Sequence, residues 1–302
     1  MDQVLVEECI KELRRTYSSD DIITVGADYV QSLLKPRDPK AHKGSFGHAL
    51  LYAGSHGMAG AAVLSAKACL HSGVGLLTVC TPSCNNDILQ ISVPEAMTIA
   101  ADDLYANTDL SRYNAVGAGP GLGQDESQTA ILEKLLKNAS FPMVLDADAL
   151  NIIAKSRYLL EYIPADSIIT PHPGELQRLT GTAADWSDMI QKARALASDN
   201  NITVIVKGAP TITIAPDGTM YVNTTGNPGM ATGGSGDVLT GIVLALLAQG
   251  YKKGQAALIA VYIHGLAGDI AARELSMTAM SSGDIVNSLL KAWSQTEKTS
   301  AL

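Results

Sequence analysis

The chain has 302 residues, of which 46% are hydrophobic and 17% charged, and its formal net charge is −8. That composition holds ample apolar material for a core and excludes a disordered chain, and one large α/β domain is the expectation at this length. The acidic balance disfavours a broad nucleic-acid footprint, because phosphate backbones select clusters of Lys and Arg, so small-molecule partners are expected and nucleic acid is not.

Residues 1–30 are amphipathic and charged, with a break at Ser18-Ser19-Asp20, and are read as an N-terminal helical extension to a single domain over 31–302. Glu7, Glu8, Lys11, Glu12, Arg14 and Arg15 interrupt any apolar core of a secretion signal. Short β-branched runs predict strands over 49–53, 76–80, 115–117, 143–146, 167–170 and 203–207. A hairpin over 211–215 and 220–223 turns at Pro216-Asp217-Gly218-Thr219. Between them lie predicted helices over 59–72, 128–137, 149–154, 174–180 and 185–199. Helices over 237–248 and 253–274 are apolar all round, as buried helices of a large domain are. This alternation implies βα units on a largely parallel sheet, hence an α/β sandwich. The longest apolar runs, 242–248 and 256–263, fall well short of the about 20 residues that span a bilayer. A cytoplasmic protein with no membrane partner is expected.

Cys9, Cys69, Cys80 and Cys84 have no paired metal spacing and are read as small buried hydrophobes in a reducing compartment. His42, His48, His56, His71 and His264 show no metal-like grouping and receive no catalytic role. Lys43, Gly44 and Gly47 look like the entry to the first core strand, and the loop over 54–60 is placed to approach a ligand through its backbone.

The strongest local signal is a Gly-rich turn running into an apolar helix over 227–241. Gly233, Gly234, Ser235 and Gly236 suit an anion hole, since glycines allow positive φ and N–H groups at a helix start can face phosphate oxygens. A tight turn with Asp237 as a helix cap is the plainer alternative. No Lys follows the last Gly as in a Walker A loop, and the spacing differs from the G-x-G-x-x-G of dinucleotide folds. Asp237 beside such a nest could accept the proton of a hydroxyl attacking the phosphate. Asp146 and Asp148, two apart at a strand end, fit either a metal or a turn and helix cap. Glu175 fits either magnesium through water or the cap of the helix that follows it.

Gly233-Gly234-Ser235-Gly236-Asp237 resembles the G-x-G-D signature of the ribokinase superfamily, and the whole of 227–241 is similar to its ADP- or ATP-dependent (S)-NAD(P)H-hydrate dehydratase branch. Segments 42–48, 119–123, 145–150, 170–175 and 207–211 match that family's motifs in its order. Ser235 stands where many members have Thr, which keeps the hydroxyl. The resemblance implies a ribokinase-like three-layer α/β/α sandwich and a hydro-lyase of metabolite repair. The C6 hydroxyl of (6S)-NADHX or NADPHX would be phosphorylated by ADP, or by ATP in its place, with Mg2+, and phosphate would then be eliminated. It implies Asp237 as the catalytic base, and Ala61, Gly121 and His172, with Asp237, on the hydrated substrate. Lys207, Gly208, Ala209, Pro210, Thr211 and Gly236 would hold the ADP or AMP. It also implies a homotetramer and, as no epimerase domain fits in this length, a separate NAD(P)HX epimerase. A vitamin-precursor or sugar kinase of the same superfamily is the alternative.

Overall fold

In the computed structural model, which describes residues 1–106 and 109–298, the strands form one ten-stranded sheet. In chain order they are β1 (Ile22–Val25), β2 (His48–Tyr52), β3 (Leu76–Thr81), β4 (Met97–Ala100), β5 (Ala115–Ala118), β6 (Met143–Leu145), β7 (Ile168–Ile169), β8 (Thr203–Val206), β9 (Ile212–Ile214) and β10 (Met220–Asn223). Their spatial order is β1-β10-β9-β8-β7-β6-β5-β2-β3-β4. All neighbours are parallel except β9, which runs against both β8 and β10.

Successive strand residues alternate between two apolar layers, because side chains on a strand point to opposite faces. Leu51 and Val144 pack into one layer, Leu50 and Leu145 into the other. The first layer holds α2 (Ala27–Leu33), α3 (Ala59–His71), α4 (Asn86–Ser92), α10 (Ser235–Ala248), α11 (Lys253–Leu275) and α12 (Ser282–Lys298). The second holds α1 (Gln3–Thr16), α5 (Ala101–Ala106), α6 (Glu126–Asn138), α7 (Ala147–Lys155), α8 (Pro173–Thr180) and α9 (Trp186–Asp199). Coverage on both faces explains why the central strands read as continuous apolar runs. By length and composition α11 could cross a membrane, yet it lies in the first layer with residues such as Ile259 and Ile263 fully buried.

The predicted core strands and the hairpin are all present. Residues 1–30 differ from a purely helical extension. Val6 and Leu13 of α1 are buried in the second layer, and residues 22–25 form an edge strand parallel to β10. Strand β4 and helices α4, α5 and α12 were not foreseen. Among the cysteines, Cys69 and Cys80 are buried with burial pushing their thiol pKa up, whereas Cys84 is exposed and departs from the expectation of a buried hydrophobe.

The chain runs from β2 to β3 and β4 on one side, then returns to lay β5 on the other side of β2. Ligand crevices in open α/β sheets form at such a reversal, at the carboxyl ends of the strands. The two loops there are joined directly, for the Gly54 N–H donates to the Pro120 carbonyl at 2.8 Å.

Helix α10 crosses this region in close contact with α3. A Cβ on Gly241 would fall 2.1 Å from the Ser65 carbonyl oxygen and 2.9 Å from the Ala68 Cβ, so the helices approach only because that position has no side chain. Gly241→Ala should lower unfolding stability by about 1–3 kcal/mol, as overpacked core substitutions do, measured by denaturant titration.

Candidate active site

The polar centre of the sheet's carboxyl end is an ion pair. Lys207, just past β8, places its Nζ 2.7 Å from Asp146 Oδ1 and 3.7 Å from Glu175 Oε2. Asp146, just past β6, is only 1% exposed, and its Oδ2 accepts a 2.9 Å hydrogen bond from the Thr240 hydroxyl of α10. Burial alone would lower the Lys207 pKa, but the charges of Asp146 and Glu175 outweigh it and the net shift is upward, so the ammonium stays charged.

The Gly-rich turn sits directly above this pair. Gly234 has a left-handed φ of +91° immediately before α10, a conformation that favours Gly. The Ser282 hydroxyl holds the Gly233 carbonyl at 2.7 Å, and the Ser65 hydroxyl holds the Asp237 carbonyl at 2.9 Å. The Ser235 N–H turns back to the Thr232 carbonyl, so the amides of Gly236 and Asp237 are the helix-start donors left facing outward. A Cβ on Gly236 would lie 3.2 Å from Lys207 Nζ, which places that amide beside the ammonium. The Ser235 hydroxyl contacts His264 Nε2 at 3.3 Å, and burial depresses that imidazole to about 4, leaving it neutral.

Asp237, in the first turn of α10, has its pKa raised to about 7, first by burial and then by the negative charge of Asp146, with Lys207 acting in the opposite direction. A carboxyl poised near neutrality is suited to general-base work. Asp148 lies in the first turn of α7, and its hydrogen bonds go to a different set of partners from those of Asp146. It accepts from the Gly123 N–H at 2.9 Å and from Gln124 Nε2 at 2.8 Å. Among the described residues, no group of three or more His, Cys, Asp or Glu side chains is arranged to hold a metal.

One cavity of about 1360 Å³ opens beside this centre. Lys207, Gly208, Ala209, Thr211, Ser235 and Gly236 line it, so the expected nucleotide residues are brought together, and His172 and His264 line it as well. Pro210 follows Ala209 through a cis peptide bond, and Thr211 Oγ1 donates to the Gly208 carbonyl at 3.0 Å, shaping the segment into a tight loop. The Lys207 N–H donates to the Pro171 carbonyl at 2.9 Å, which ties this loop to the His172 segment.

Ala61 and Gly121 lie apart from that cavity, at the β2/β5 reversal. A Cβ on Gly121 would fall 2.9 Å from the Cβ of Ala61, so the two line one narrow place. His172 and Glu175 form a reciprocal helix cap at the start of α8. His172 Nδ1 accepts from the Gly174 N–H at 3.0 Å, and Glu175 Oε2 accepts from the His172 N–H at 2.8 Å. Of the two uses open to Glu175, capping is the one its hydrogen bonds display. His264 and Thr240 were missed in sequence, where neither has a neighbouring partner. The only signal available was their position on the two most apolar helices, where a polar side chain needs a reason.

The architecture and the Gly-rich turn define a ribokinase-like α/β protein. A profile of the NAD(P)H-hydrate dehydratase family matches residues 49–291, and the chain belongs to that family. It is 35% identical over 278 residues to the ADP-dependent (S)-NAD(P)H-hydrate dehydratase of Bacillus subtilis, spanning 89% of this chain and 97% of that one. A crystal structure of the Bacillus subtilis ADP/ATP-dependent NAD(P)H-hydrate dehydratase, co-crystallised with ATP and Mg2+, superposes with a TM-score of 0.81 at 31% identity, covering 90% of this chain and 98% of that one. The bifunctional NAD(P)H-hydrate repair enzyme of Moorella thermoacetica is 39% identical over 276 residues, spanning 87% of this chain. The chain covers about half of that relative's length, 52%.

Lys207→Ala should destabilise the fold by about 3 kcal/mol, because it leaves the Asp146 carboxylate buried without its cation, read by thermal and denaturant unfolding.

Proposed function

We propose that this chain is an ADP-dependent (S)-NAD(P)H-hydrate dehydratase of the cytoplasm, able to take ATP in the place of ADP. The observation that carries the reading is Asp237, a buried carboxyl with its pKa raised to about 7, in the first turn of α10 directly after the Gly-rich turn. Family membership supplies the substrate class. The hydrate of reduced nicotinamide bears a hydroxyl at C6, and hydroxide is a poor leaving group. Asp237 takes the hydroxyl proton as the C6 oxygen bonds to the β-phosphorus of ADP, and the bond from that phosphorus to the bridging oxygen breaks to release AMP. The C6–O bond then breaks with phosphate as leaving group as the ring nitrogen's lone pair pushes, and loss of the C5 proton restores the dihydronicotinamide.

The parts have separable tasks. Gly236 and Asp237 amides at the start of α10, with Lys207, stabilise charge on the transferring phosphoryl group. Gly233 and Gly234 shape that turn, and neutral His264 orients the Ser235 hydroxyl. The loop from Gly208 through Ala209 and Pro210 to Thr211 holds the nucleoside side. Ala61 and Gly121 face the nicotinamide end, and His172 stands between the two. Asp146 carries Lys207 and Thr240, and Glu175 caps α8, so the donor set suits an ion that keeps waters and rides on phosphates. Mg2+ brought in on the nucleotide would neutralise charge on its phosphate oxygens, with Asp146 or Glu175 contacting it through water.

A separate epimerase would supply the S epimer, and longer relatives named as bifunctional repair enzymes, of which this chain covers about half, favour that link. We propose a homotetramer, for which exposed Ile88, Ile91 and Met97 near the β4 edge offer apolar contact surface.

The test is absorbance at 340 nm with Mg2+ and (S)-NADHX, comparing ADP, ATP and no nucleotide. A nucleotide-dependent rise is expected, and a flat trace with both nucleotides would favour a small-molecule kinase instead. Asp237→Asn should keep ADP binding while kcat falls by roughly 10²–10⁴. The carboxylate is needed ionised, so wild-type kcat/KM should fall tenfold per pH unit below about 7, where Asp237 takes up its proton. That limb should vanish from the residual activity of Asp237→Asn.

A further inference from the structure

We propose that an open pocket between α7, α8 and the loop after β5 is a subsite for a phosphate group of the dinucleotide substrate. The inference rests on the dehydratase reading and extends it from the reacting ring to the far part of the substrate. The pocket has a volume of about 430 Å³ and is lined by Gln124, Asn151, Ala154, Lys155 and Arg178.

Its position continues the path of the substrate. Gln124 closes the loop that carries Gly121, and Arg178 lies on the helix that His172 caps. A Cβ on Gly174 would fall 2.9 Å from His172 Cε1 and 3.8 Å from Arg178 Nη1, so the guanidinium stands beside the imidazole. A ligand whose reacting end lies near Gly121 and His172 would meet Gln124 three residues beyond the first and Arg178 beside the second.

Its chemistry suits an anion. Neither Lys155 nor Arg178 has a carboxylate at ion-pair distance among the described residues. Arg178 is also pre-oriented. Its Nε donates to Asn151 Oδ1 at 2.9 Å, and Asn151 Nδ2 in turn donates to Asp148 Oδ1 at 3.3 Å. Asp148 is anchored in the chain by the Gly123 N–H and by Gln124 Nε2. This relay fixes the guanidinium plane while leaving its terminal nitrogens for the forked contact that phosphate oxygens accept. The anionic groups of the substrate are phosphates, either the bridging pyrophosphate or the 2′-phosphate that distinguishes NADPHX.

The experiment is steady-state kinetics of Lys155→Glu and Lys155→Gln with (S)-NADHX and (S)-NADPHX. Lys155 is exposed and ends α7, so both variants should melt with the wild type. The glutamate variant should raise substrate KM at least tenfold and the glutamine variant less, with kcat at saturation and the KM of ADP unchanged. A rise confined to NADPHX identifies the 2′-phosphate as the occupant, and an equal rise for both substrates identifies the pyrophosphate. Unchanged KM for both substrates in an active glutamate variant would overturn the subsite and leave the dehydratase reading standing. A wild-type protein that converts neither hydrate would overturn both.

Discussion

A buried carboxylate needs a cation, and the way Asp146 meets that need organises the whole carboxyl end of the sheet. Its partner Lys207 comes from a strand two places away in the sheet, and its second partner, Thr240, comes from α10 above. The three together lock β6, β8 and α10 to one another. The Gly-rich turn is therefore held in place from below by the ion pair and from the side by Ser65 and Ser282. An anion arriving at the turn meets donors already aimed, which is the condition under which electrostatic stabilisation contributes most to a reaction.

The same ion pair sets the chemistry of Asp237. Burial is the larger push against ionisation, the negative charge of Asp146 adds to it, and the Lys207 ammonium moderates both, so the carboxyl pKa is raised to about 7. A carboxylate in open water would be a weaker base, and one buried without Lys207 would hold its proton too tightly. The acidity of Asp237 is thus a balance drawn from residues far apart in the chain, and the neutral His264 nearby adds no competing charge.

Much of the architecture was legible because the central strands are covered on both sides. Segment 49–53 is apolar at every position, and 203–207 carries the unbroken β-branched run Val204, Ile205 and Val206, so both can hardly be read otherwise. The edges were harder. Strand β4 is short and partly exposed, with Met97 at 43%, so it has little apolar signature, and β1 sits inside a charged stretch whose pattern is dominated by α1. In the candidate site, the turn over 233–237 announces itself through local glycines. The partners that give it meaning do not: Asp146 is 61 residues from Lys207 and 94 from Thr240. The choice between metal and capping for Asp148 and Glu175 also lay beyond the sequence, because it depends on which N–H groups the fold brings to each oxygen.

Strand β1 precedes the other nine strands in the chain, yet among the described residues its one strand neighbour is β10, with Ile22 paired to Met220 and the Thr224 hydroxyl bonded to the Val25 carbonyl across 199 positions. During translation β1 must therefore wait, unpaired, until β10, the last strand in chain order, has been made. Contacts of such long sequence separation are entropically expensive and slow to form. The edge that β1 covers is the last to close, and a nascent chain halted before the hairpin would display both an unprotected β1 and an incomplete sheet, the exposures that chaperones bind.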